Sequence, residues 1–221
     1  MCGRYTIIDI DKINYYFDLS LLQLPSNLIP RYNAAPGQAL PIIIRKRKNE
    51  LHFMKWGLIP HWANNPKIGY KMINARSETL FQKPSFKIPI QKQRCLIPAS
   101  GFYEWQKQGK EKIPYYIHLK NRPLFSFAGI YDIWKDKDGK EIKTYSIITT
   151  EANKLIQNIH PRMPVILEKD SENDWLNESF NVNNIPDIIK PFPESDIEYY
   201  KIIQKINSSK TDSNDLIEFK D

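Results

Sequence analysis

Short apolar runs, separated by prolines and polar turns, form the pattern of hydrophobic and polar positions along this chain. Runs that are rich in β-branched and aromatic residues predict strands. The predicted strands are residues 40–46, 51–57, 93–98, 113–119, 124–130 and 143–149. The sequence Asp136-Lys-Asp-Gly-Lys predicts a hairpin turn between Phe125–Trp134 and Glu141–Thr149, and residues 105–110 predict a second turn. Because prolines (16) outnumber glycines (8), we expect rigid connections.

Few segments carry a helical signal. The stretch from Asp9 to Phe17 is one candidate. Thr150 is placed to cap a helix over residues 151–158, and Ser171 is placed to cap another over residues 172–177.

Many short strands with few helices predict the α+β class. We expect a single domain over residues 1–221, with a few peripheral helices around a core that is either a curved antiparallel or mixed β-sheet or an open barrel. The polar, serine-rich segment after Asn207 is predicted to be loop or frayed.

Composition and charge indicate a soluble, basic protein. Hydrophobic residues make up 41% of the 221 residues, which is enough for a sizeable core, and the net charge is +7 with a pI near 9.2. A basic surface attracts polyanions, and phosphate backbones are the commonest of these. The local cluster Arg45–Lys48 favours a solvated turn over a contact to DNA.

Several classes of protein and site are not supported by the sequence. The longest apolar run, Pro41–Ile44, is far shorter than the ~18 residues of a membrane span, so no membrane partner is expected. The start of the chain lacks the features of a signal peptide, which favours the cytoplasm. Two cysteines, Cys2 and Cys95, cannot form a disulfide framework. No Cys/His cluster has zinc-ligand spacing, so no metal or other cofactor is expected, and nothing demands more than a monomer.

The second residue carries the first candidate chemistry. Removal of the initiator methionine, which is general before a small second residue, would leave Cys2 with an α-amine and a thiol on adjacent carbons. An α-amine has a pKa of about 7.7–8.0 against about 10.4 for lysine, so more of it is nucleophilic near neutral pH. Amine and thiol together can close a thiazolidine ring on an aldehyde. From position alone, Cys2 can equally be incidental.

Two further segments hold polar side chains in distinctive surroundings. Asn74, Arg76 and Glu78 alternate, so that on a strand they would share one face. Glu104 lies between aromatic residues, which would raise its pKa and suit a general acid or base. The alternative for Glu104 is an ordinary exposed glutamate at a strand edge.

A histidine, an arginine and two tryptophans complete the candidates. His160 lies in the extended segment His-Pro-Arg-Met-Pro, where it could exchange protons near neutral pH, and Arg162 could grip a phosphate bidentately. Trp62 ends a proline-containing loop and could stack on an unpaired base, which is worth ~1–3 kcal/mol. We expect Trp56 to pack in the core instead.

Six blocks of sequence occur in a distinctive order. They are Met1-Cys-Gly-Arg-Tyr, Arg31-Tyr-Asn-Ala-Ala-Pro-Gly, Trp56-Gly-Leu-Ile-Pro-His-Trp, Asn74-Ala-Arg-Ser-Glu-Thr, Arg94-Cys-Leu-Ile-Pro-Ala-Ser-Gly-Phe-Tyr-Glu-Trp and His160-Pro-Arg-Met-Pro. In this order the blocks resemble the SRAP family, the SOS-response-associated peptidases or abasic-site processing proteins. The resemblance runs from residue 2 to about residue 167 and continues more weakly to about Ile217.

The resemblance implies roles for the residues that match these blocks. Cys2 would be the nucleophile that becomes crosslinked to DNA, and Asn74 would orient the abasic sugar or the Cys2 amine. Glu104 would shuttle protons during Schiff-base formation, and His160 would assist opening of the sugar ring and later reversal. The residues implied in DNA contacts are Arg4, Arg76, Arg162, Asn33, Pro36, Trp62 and Phe86, the last as a wedge against a terminal base pair. His61-Trp62 stands where some relatives carry paired aromatic residues.

The expected function is that of an abasic-site sensor in the DNA damage response. It would bind single-stranded DNA and form a thiazolidine crosslink through Cys2, after autoproteolytic removal of Met1, with β-elimination as a possible lyase side reaction. Two alternatives stay open. One is a cysteine peptidase that acts in trans with Cys2 and His160, and the other is a non-covalent binder of single-stranded or modified DNA.

Overall fold

The computed structural model describes residues 2–219 and divides their strands between two sheets. The strands are β1 (Tyr5–Ile7), β2 (Arg31–Ala34), β3 (Ala39–Arg45), β4 (Asn49–Trp56), β5 (Asn74–Arg76), β6 (Arg94–Ala99), β7 (Gly101–Gln108), β8 (Glu111–Leu119), β9 (Phe125–Lys135), β10 (Glu141–Glu151), β11 (Arg162–Pro164) and β12 (Ile197–Lys201). The six strands predicted from the sequence are confirmed as β3, β4, β6, β8, β9 and β10.

The helices are short and lie outside the sheets. They are α1 (Ile13–Tyr16), α2 (Pro84–Lys87), α3 (Pro89–Lys92), α4 (Lys154–Gln157), α5 (Ser171–Leu176) and α6 (Ile185–Ile188). The 3-10 turns are Ile10–Lys12, Pro66–Lys71, Ser77–Thr79, Val182–Asn184, Glu194–Asp196, Gln204–Asn207 and Asn214–Ile217.

One sheet contains a closed ring of strands. In this ring β10 pairs with β4, β4 with β3, β3 with β6, β6 with β9, and β9 returns to β10. The β10–β4 and β10–β5 pairs are parallel and the others antiparallel, so the sheet is mixed. The second sheet has the order β12-β8-β7-β1-β2. The predicted α+β class with a mixed β core is confirmed.

Local predictions at turns and helix ends are partly wrong. Strand β7 continues to Gln108, so residues 105–110 are mostly strand, and the turn begins at Gly109, where φ is +60°. Thr150 lies within β10 and caps nothing; the cap of α4 is Asn153, whose side chain accepts a hydrogen bond from the Ile156 amide. The helix predicted over residues 172–177 is present as α5, but it begins at Ser171. Its N-cap is Asp170, so Ser171 is the first helical residue and not the cap.

An aromatic cluster between the sheets anchors strand β1. The Tyr5 ring packs edge-on against Trp56 at 5.1 Å and against Phe127 at 5.8 Å between centroids. The hydroxyl groups of Tyr5 and Tyr145 are hydrogen bonded at 2.8 Å. All four side chains are buried, and Trp56 therefore packs in the core as predicted. This cluster fixes the start of the chain between the two sheets.

The segment after Asn207 is folded against the five-stranded sheet. Leu216 is fully buried in a small apolar cluster with Tyr103 and Ile206, and the Tyr200 hydroxyl donates to the carbonyl of Ile217. Of the predicted alternatives, loop or frayed, the described part of this segment is loop with a 3-10 turn, and Leu216 packs it against the sheet. Its few apolar residues are spaced so that they fill one cluster, a pattern hidden by the surrounding serines.

Candidate functional site

Cys2 lies where the two sheets meet, just before β1. Its backbone carbonyl accepts a hydrogen bond of 2.8 Å from Nδ2 of Asn74. Asn74 begins β5, which belongs to the other sheet and pairs with β10 at Ile147. The Cys2 thiol contacts the carbonyl oxygen of Arg4 at 3.7 Å. Two of the residues predicted for the site, Cys2 and Asn74, are therefore in direct contact.

The thiol of Cys2 is buried, and burial disfavours its charged form. Its exposed fraction is 0%. Burial raises the pKa of the Cys2 thiol well above its ordinary value, and the nearby Glu104 carboxylate adds to the rise. A neutral thiol is a poor nucleophile compared with a thiolate. Reaction at Cys2 therefore depends on a change that uncovers the residue.

Asn74 holds an unused acceptor beside Cys2. Its Nδ2 is occupied by the Cys2 carbonyl, whereas Oδ1 is buried and has no hydrogen-bond partner among the described residues. A buried polar atom without a partner costs free energy, and such atoms mark places where a ligand or water completes the structure. The Asn74 Oδ1 atom is therefore suited to accept a hydrogen bond from an amine or a hydroxyl group.

Glu104 lies on β7 and is almost fully buried. Its exposed fraction is 3%, so the alternative of an ordinary exposed glutamate is excluded. Burial raises the pKa of the Glu104 carboxyl, and the positive charge that His160 can carry opposes the rise. A carboxyl group with a raised pKa keeps its proton closer to neutral pH, which is what a general acid needs.

His160 lies between α4 and β11 and faces Glu104 across a cavity. Its Nδ1 atom is 3.1 Å from the amide nitrogen and 3.0 Å from the carbonyl oxygen of Arg162, so the ring is oriented by backbone. Glu104 and His160 line a cavity of about 420 Å³, which is also lined by Trp105, Lys107, Lys112 and Asn207. The predicted acid and base are thus brought together although 56 positions separate them in the sequence.

Arg162 is engaged by protein groups. Its two terminal nitrogens donate to the two carboxylate oxygens of Glu78 at 2.7 and 3.1 Å, and Nη2 also donates to the carbonyl of Thr149 at 2.6 Å. A phosphate could take this bidentate position only by displacing Glu78. The prediction that Asn74, Arg76 and Glu78 share a strand face is wrong, because β5 ends at Arg76 and a 3-10 turn carries Glu78 to Arg162.

Arg4 and Asn33 are covered by the C-terminal segment. Nη1 of Arg4 donates to Oδ1 of Asn33 at 3.3 Å and to the carbonyl of Ile206 at 3.1 Å. Nδ2 of Asn33, a fully buried residue, donates to the carbonyls of Ser208 and Thr211. These contacts join Arg4 and Asn33 to the segment 206–211; Asn33 is fully buried, whereas Arg4 is half-buried.

A second groove adjoins Asn74 on the other side. It has a volume of about 590 Å³ and is lined by Ile68, Lys71, Met72, Ile73, Asn74, Arg76, Lys83 and Phe86. Its cationic side chains, Lys71, Arg76 and Lys83, are exposed. Phe86 lines this groove but is only 4% exposed and packs in the core, so its contact with a base pair stays a prediction that would require the side chain to move.

The remaining predicted contacts lie in loops. Trp62 is 50% exposed and lines a shallow groove with Lys67, Ile68 and Lys71, two of which also line the groove beside Asn74. Pro36 lies in the turn between β2 and β3 and is half-buried. His61, which precedes Trp62 in the sequence, is oriented by the buried Asp132 carboxylate, and this carboxylate lies 3.1 Å from Nδ1 of His61.

Four residues that line the Glu104–His160 cavity were not predicted as site residues: Trp105, Lys107, Lys112 and Asn207. Trp105 and Lys107 lie in the segment 105–110, for which the sequence predicts a turn, and Lys112 lies just before the strand predicted over residues 113–119. Only the alternation up to Gln108 could have revealed that β7 continues through this segment. Asn207 belongs to a polar segment that carries no local signal for this position. Between residues 2 and 219, no group of three or more His, Cys, Asp and Glu side chains is placed to hold a metal ion. The same residues form no helix that is long and apolar enough to span a membrane.

Comparisons with known proteins agree with this geometry. The chain is 44% identical over 222 residues to the abasic site processing protein YoqW of Bacillus subtilis (strain 168), with 99% of each chain covered. It is 32% identical to the abasic site processing protein HMCES of Xenopus tropicalis, over 83% of this chain and 64% of that protein. A crystal structure of a protein from Bacteroides thetaiotaomicron superposes with a TM-score of 0.89 at 35% identity, covering 99% of this chain and 100% of the other. The model of the SOS response associated peptidase (SRAP) family matches residues 1–209, and the chain belongs to this family.

Proposed function

We propose that this protein processes abasic sites in single-stranded DNA and bonds covalently to the lesion through Cys2. The observation that carries the proposal is the placement of Cys2. Asn74 donates a hydrogen bond of 2.8 Å to its carbonyl, and the Glu104 carboxylate is close enough to raise the pKa of its thiol. The names of the relatives, which are called abasic site processing proteins, support the same substrate.

The first step is hydrolysis of the peptide bond between Met1 and Cys2. Water adds across this bond, methionine leaves, and Cys2 gains the α-amine of the chain. Glu104 and His160 are the groups that can move the proton in this step, because they line one cavity and the Glu104 carboxylate lies close enough to Cys2 to raise the pKa of its thiol. Removal of Met1 frees the Cys2 amine, and the chain that begins at Cys2 is the form proposed to react with the sugar.

The second step is attack on the sugar. Glu104 or His160 donates a proton to the ring oxygen of the abasic deoxyribose, and the bond between C1′ and this oxygen breaks. The C1′ hydroxyl releases its proton to water, which leaves the open C1′ aldehyde. The unprotonated Cys2 amine adds to C1′, and loss of water gives an imine. The Cys2 thiol then adds to the imine carbon, its proton passes to the nitrogen, and a thiazolidine ring closes. Both groups of one residue are required, since an imine alone hydrolyses readily.

The groove beside Asn74 is suited to carry the DNA strand. Lys71, Arg76 and Lys83 line it, and among residues 2–219 no acidic side chain does. Trp62 stands on the adjoining groove with half of its surface exposed, where an unpaired base can stack. A single strand is favoured, because the sugar must reach a residue that lies between two sheets.

The site is less suited to a cysteine peptidase that acts in trans. Such an enzyme needs a thiolate, which a neighbouring cationic histidine stabilises by lowering the pKa of the thiol. Here the pKa of the Cys2 thiol is raised by burial and by Glu104, and the thiol donates to the Arg4 carbonyl. This electrostatic setting favours the amine as the first nucleophile.

A denaturing gel tests the proposal. Purified protein, with Cys2 verified as the first residue by mass spectrometry, is incubated with a single-stranded oligonucleotide that contains one abasic site. We expect a shifted band for the native protein, a heat-labile band for Cys2→Ser and no band for Cys2→Ala. A native protein that begins at Cys2 and forms no adduct would contradict the proposal, as would an adduct that persists in Cys2→Ala.

A further inference from the structure

The cavity between Glu104 and His160 has a cationic end that the proposed chemistry does not use. Lys107 on β7 and Lys112 on β8 line this end, and the two residues are direct cross-strand partners in the hairpin. Both side chains are exposed. Glu104 and His160 line the same cavity, so the lysines stand next to the groups that are proposed to act on the sugar.

The pairing of these two lysines is unfavourable in the isolated protein. Like charges that face each other directly on antiparallel strands repel and destabilise the pair. The ion pairs found within residues 2–219 include neither Lys107 nor Lys112. The arrangement becomes favourable when an anion lies between the two ammonium groups, because each then gains a charge-assisted hydrogen bond.

Asn207 adds an oriented donor at the same end. The indole nitrogen of Trp105 donates to Oδ1 of Asn207 at 2.8 Å, which fixes the direction of the side-chain amide. Since Oδ1 is the end that contacts Trp105, Nδ2 is the end that can donate to a group in the cavity. The backbone position of Asn207 is set by the adjacent Ile206, whose carbonyl accepts from Arg4 and whose side chain is fully buried.

We propose that Lys107, Lys112 and Asn207 form a subsite for a backbone phosphate of DNA, next to the sugar that reacts with Cys2. The proposal rests on the proposed function, because it places the reacting sugar between Glu104 and His160. An abasic nucleotide has a phosphate on each side of its sugar. One phosphate would lie at this subsite, and the strand would continue from the other towards the groove that Arg76 lines. The subsite would thus hold the lesion from a second side and limit its rotation in the cavity.

Salt-dependent binding of an undamaged strand tests the subsite without any covalent chemistry. The probe is a fluorescent single-stranded oligonucleotide without abasic sites, and the variant is Lys107→Ser/Lys112→Ser. The matched control is Arg47→Ser/Lys48→Ser, which removes the same charge from the exposed turn between β3 and β4. Each lost phosphate contact lowers the slope of log K against log salt by ~0.7 for single strands. We expect the lysine variant to lower the slope by ~0.7–1.4, according to whether the two lysines share one phosphate or contact two, and the control to leave it unchanged.

The outcomes separate the subsite from the proposed function. Equal slopes for the lysine variant and the control, with both proteins folded by circular dichroism, would overturn the subsite. A reduced slope in the lysine variant supports it, whether or not the native protein forms an adduct with abasic DNA. The native protein could also form no adduct with abasic DNA while its binding to the undamaged strand still depends on the lysines. That result would contradict the covalent function and support the phosphate subsite.

Asn207→Ala and Asn207→Asp sharpen the same test. Removal of the amide in Asn207→Ala is expected to weaken undamaged-strand binding about 2- to 5-fold, and the carboxylate in Asn207→Asp to weaken it further, because it repels the phosphate. Binding by Asn207→Asp that equals or exceeds that of Asn207→Ala would exclude a phosphate contact at this position.

Discussion

The two walls of the candidate site differ in how their polar groups are satisfied. The wall that we call the paired wall consists of Asn74, Glu78, Thr149, His160 and Arg162, and each side chain makes at least one hydrogen bond to another of them, to Cys2 or to backbone. Two buried atoms of this wall, Oδ1 of Asn74 and Nε of Arg162, have no partner among the described residues. The open wall consists of Trp105, Lys107, Lys112 and Asn207, and the ion pairs found within residues 2–219 include neither of its lysines.

This difference indicates a division of tasks. Groups that are held by charge-assisted hydrogen bonds keep their positions, which is what proton transfer and nucleophilic attack require. The Glu78–Arg162 pair joins the end of β5 to the start of β11 across Thr149, and so it fixes Asn74 relative to His160. Unpaired cations keep their capacity for an anion. The paired wall therefore sets geometry, and the open wall is available to bind.

The largest expected effect concerns Glu104, which lies between the two walls. Glu104→Gln keeps the shape of the side chain and removes the proton that it can transfer, so we expect adduct formation to slow by about 10²- to 10⁴-fold. Single-turnover gels measure this rate. Binding of an undamaged strand should change less than about threefold, since the walls are intact. If Glu104→Gln forms the adduct at a rate within threefold of that of the native protein, another group carries out the proton transfer.

The next effect concerns the anchor of β1. Tyr5→Phe leaves the buried Tyr145 hydroxyl without its partner, and we expect a loss of ~1–3 kcal/mol in the free energy of unfolding. Urea denaturation with an unchanged m-value measures it. The double variant Tyr5→Phe/Tyr145→Phe should cost less than the sum of the two single variants, because it leaves no orphaned hydroxyl. Strict additivity would show that this hydrogen bond does not hold β1.

A smaller effect is expected for the Glu78–Arg162 pair. Arg162 holds the pKa of the Glu78 carboxyl below its usual range, but Glu78 is 46% exposed, so solvent screens the pair. We expect Glu78→Gln to lower the free energy of unfolding by ~0.5–1 kcal/mol and to slow adduct formation by about tenfold, with an unchanged salt slope for undamaged DNA. A steeper salt slope in Glu78→Gln would show that the freed Arg162 binds phosphate itself and that the walls do not divide these tasks.

The smallest effect is a pH dependence of stability. The pKa of Glu104 is raised in the folded protein, so the folded state binds more protons than the unfolded state between the ordinary and the raised value. Stability from this group is therefore greatest below its ordinary pKa and falls as pH rises through that interval. Glu104→Gln should melt about 1–2 °C higher than the native protein at pH 8, and the difference should shrink towards pH 4. A difference that grows on acidification would contradict the direction of the shift.

Strand positions could be predicted largely from the sequence, because they depend on local composition. The run of β-branched and aromatic residues over 143–149 and the Asp136 turn determine the β9–β10 hairpin without reference to the rest of the chain. The ordered blocks around Cys2, Asn74, Glu104 and His160 likewise indicated which residues to expect together. Of these, the structure shows Cys2 against Asn74 and Glu104 beside His160.

Tertiary structure alone decided which polar groups meet. Nothing local shows that β5 stops at Arg76 and sends Glu78 to Arg162, that Phe86 turns into the core, or that the serine-rich end places Asn207 beside Glu104. The spacing of apolar residues shows which face of a helix or strand is apolar. The partner of a charged side chain depends instead on contacts between segments that are distant in the sequence. For that reason the elements and the chemistry-bearing residues were readable from the sequence, and the paired and open walls were not.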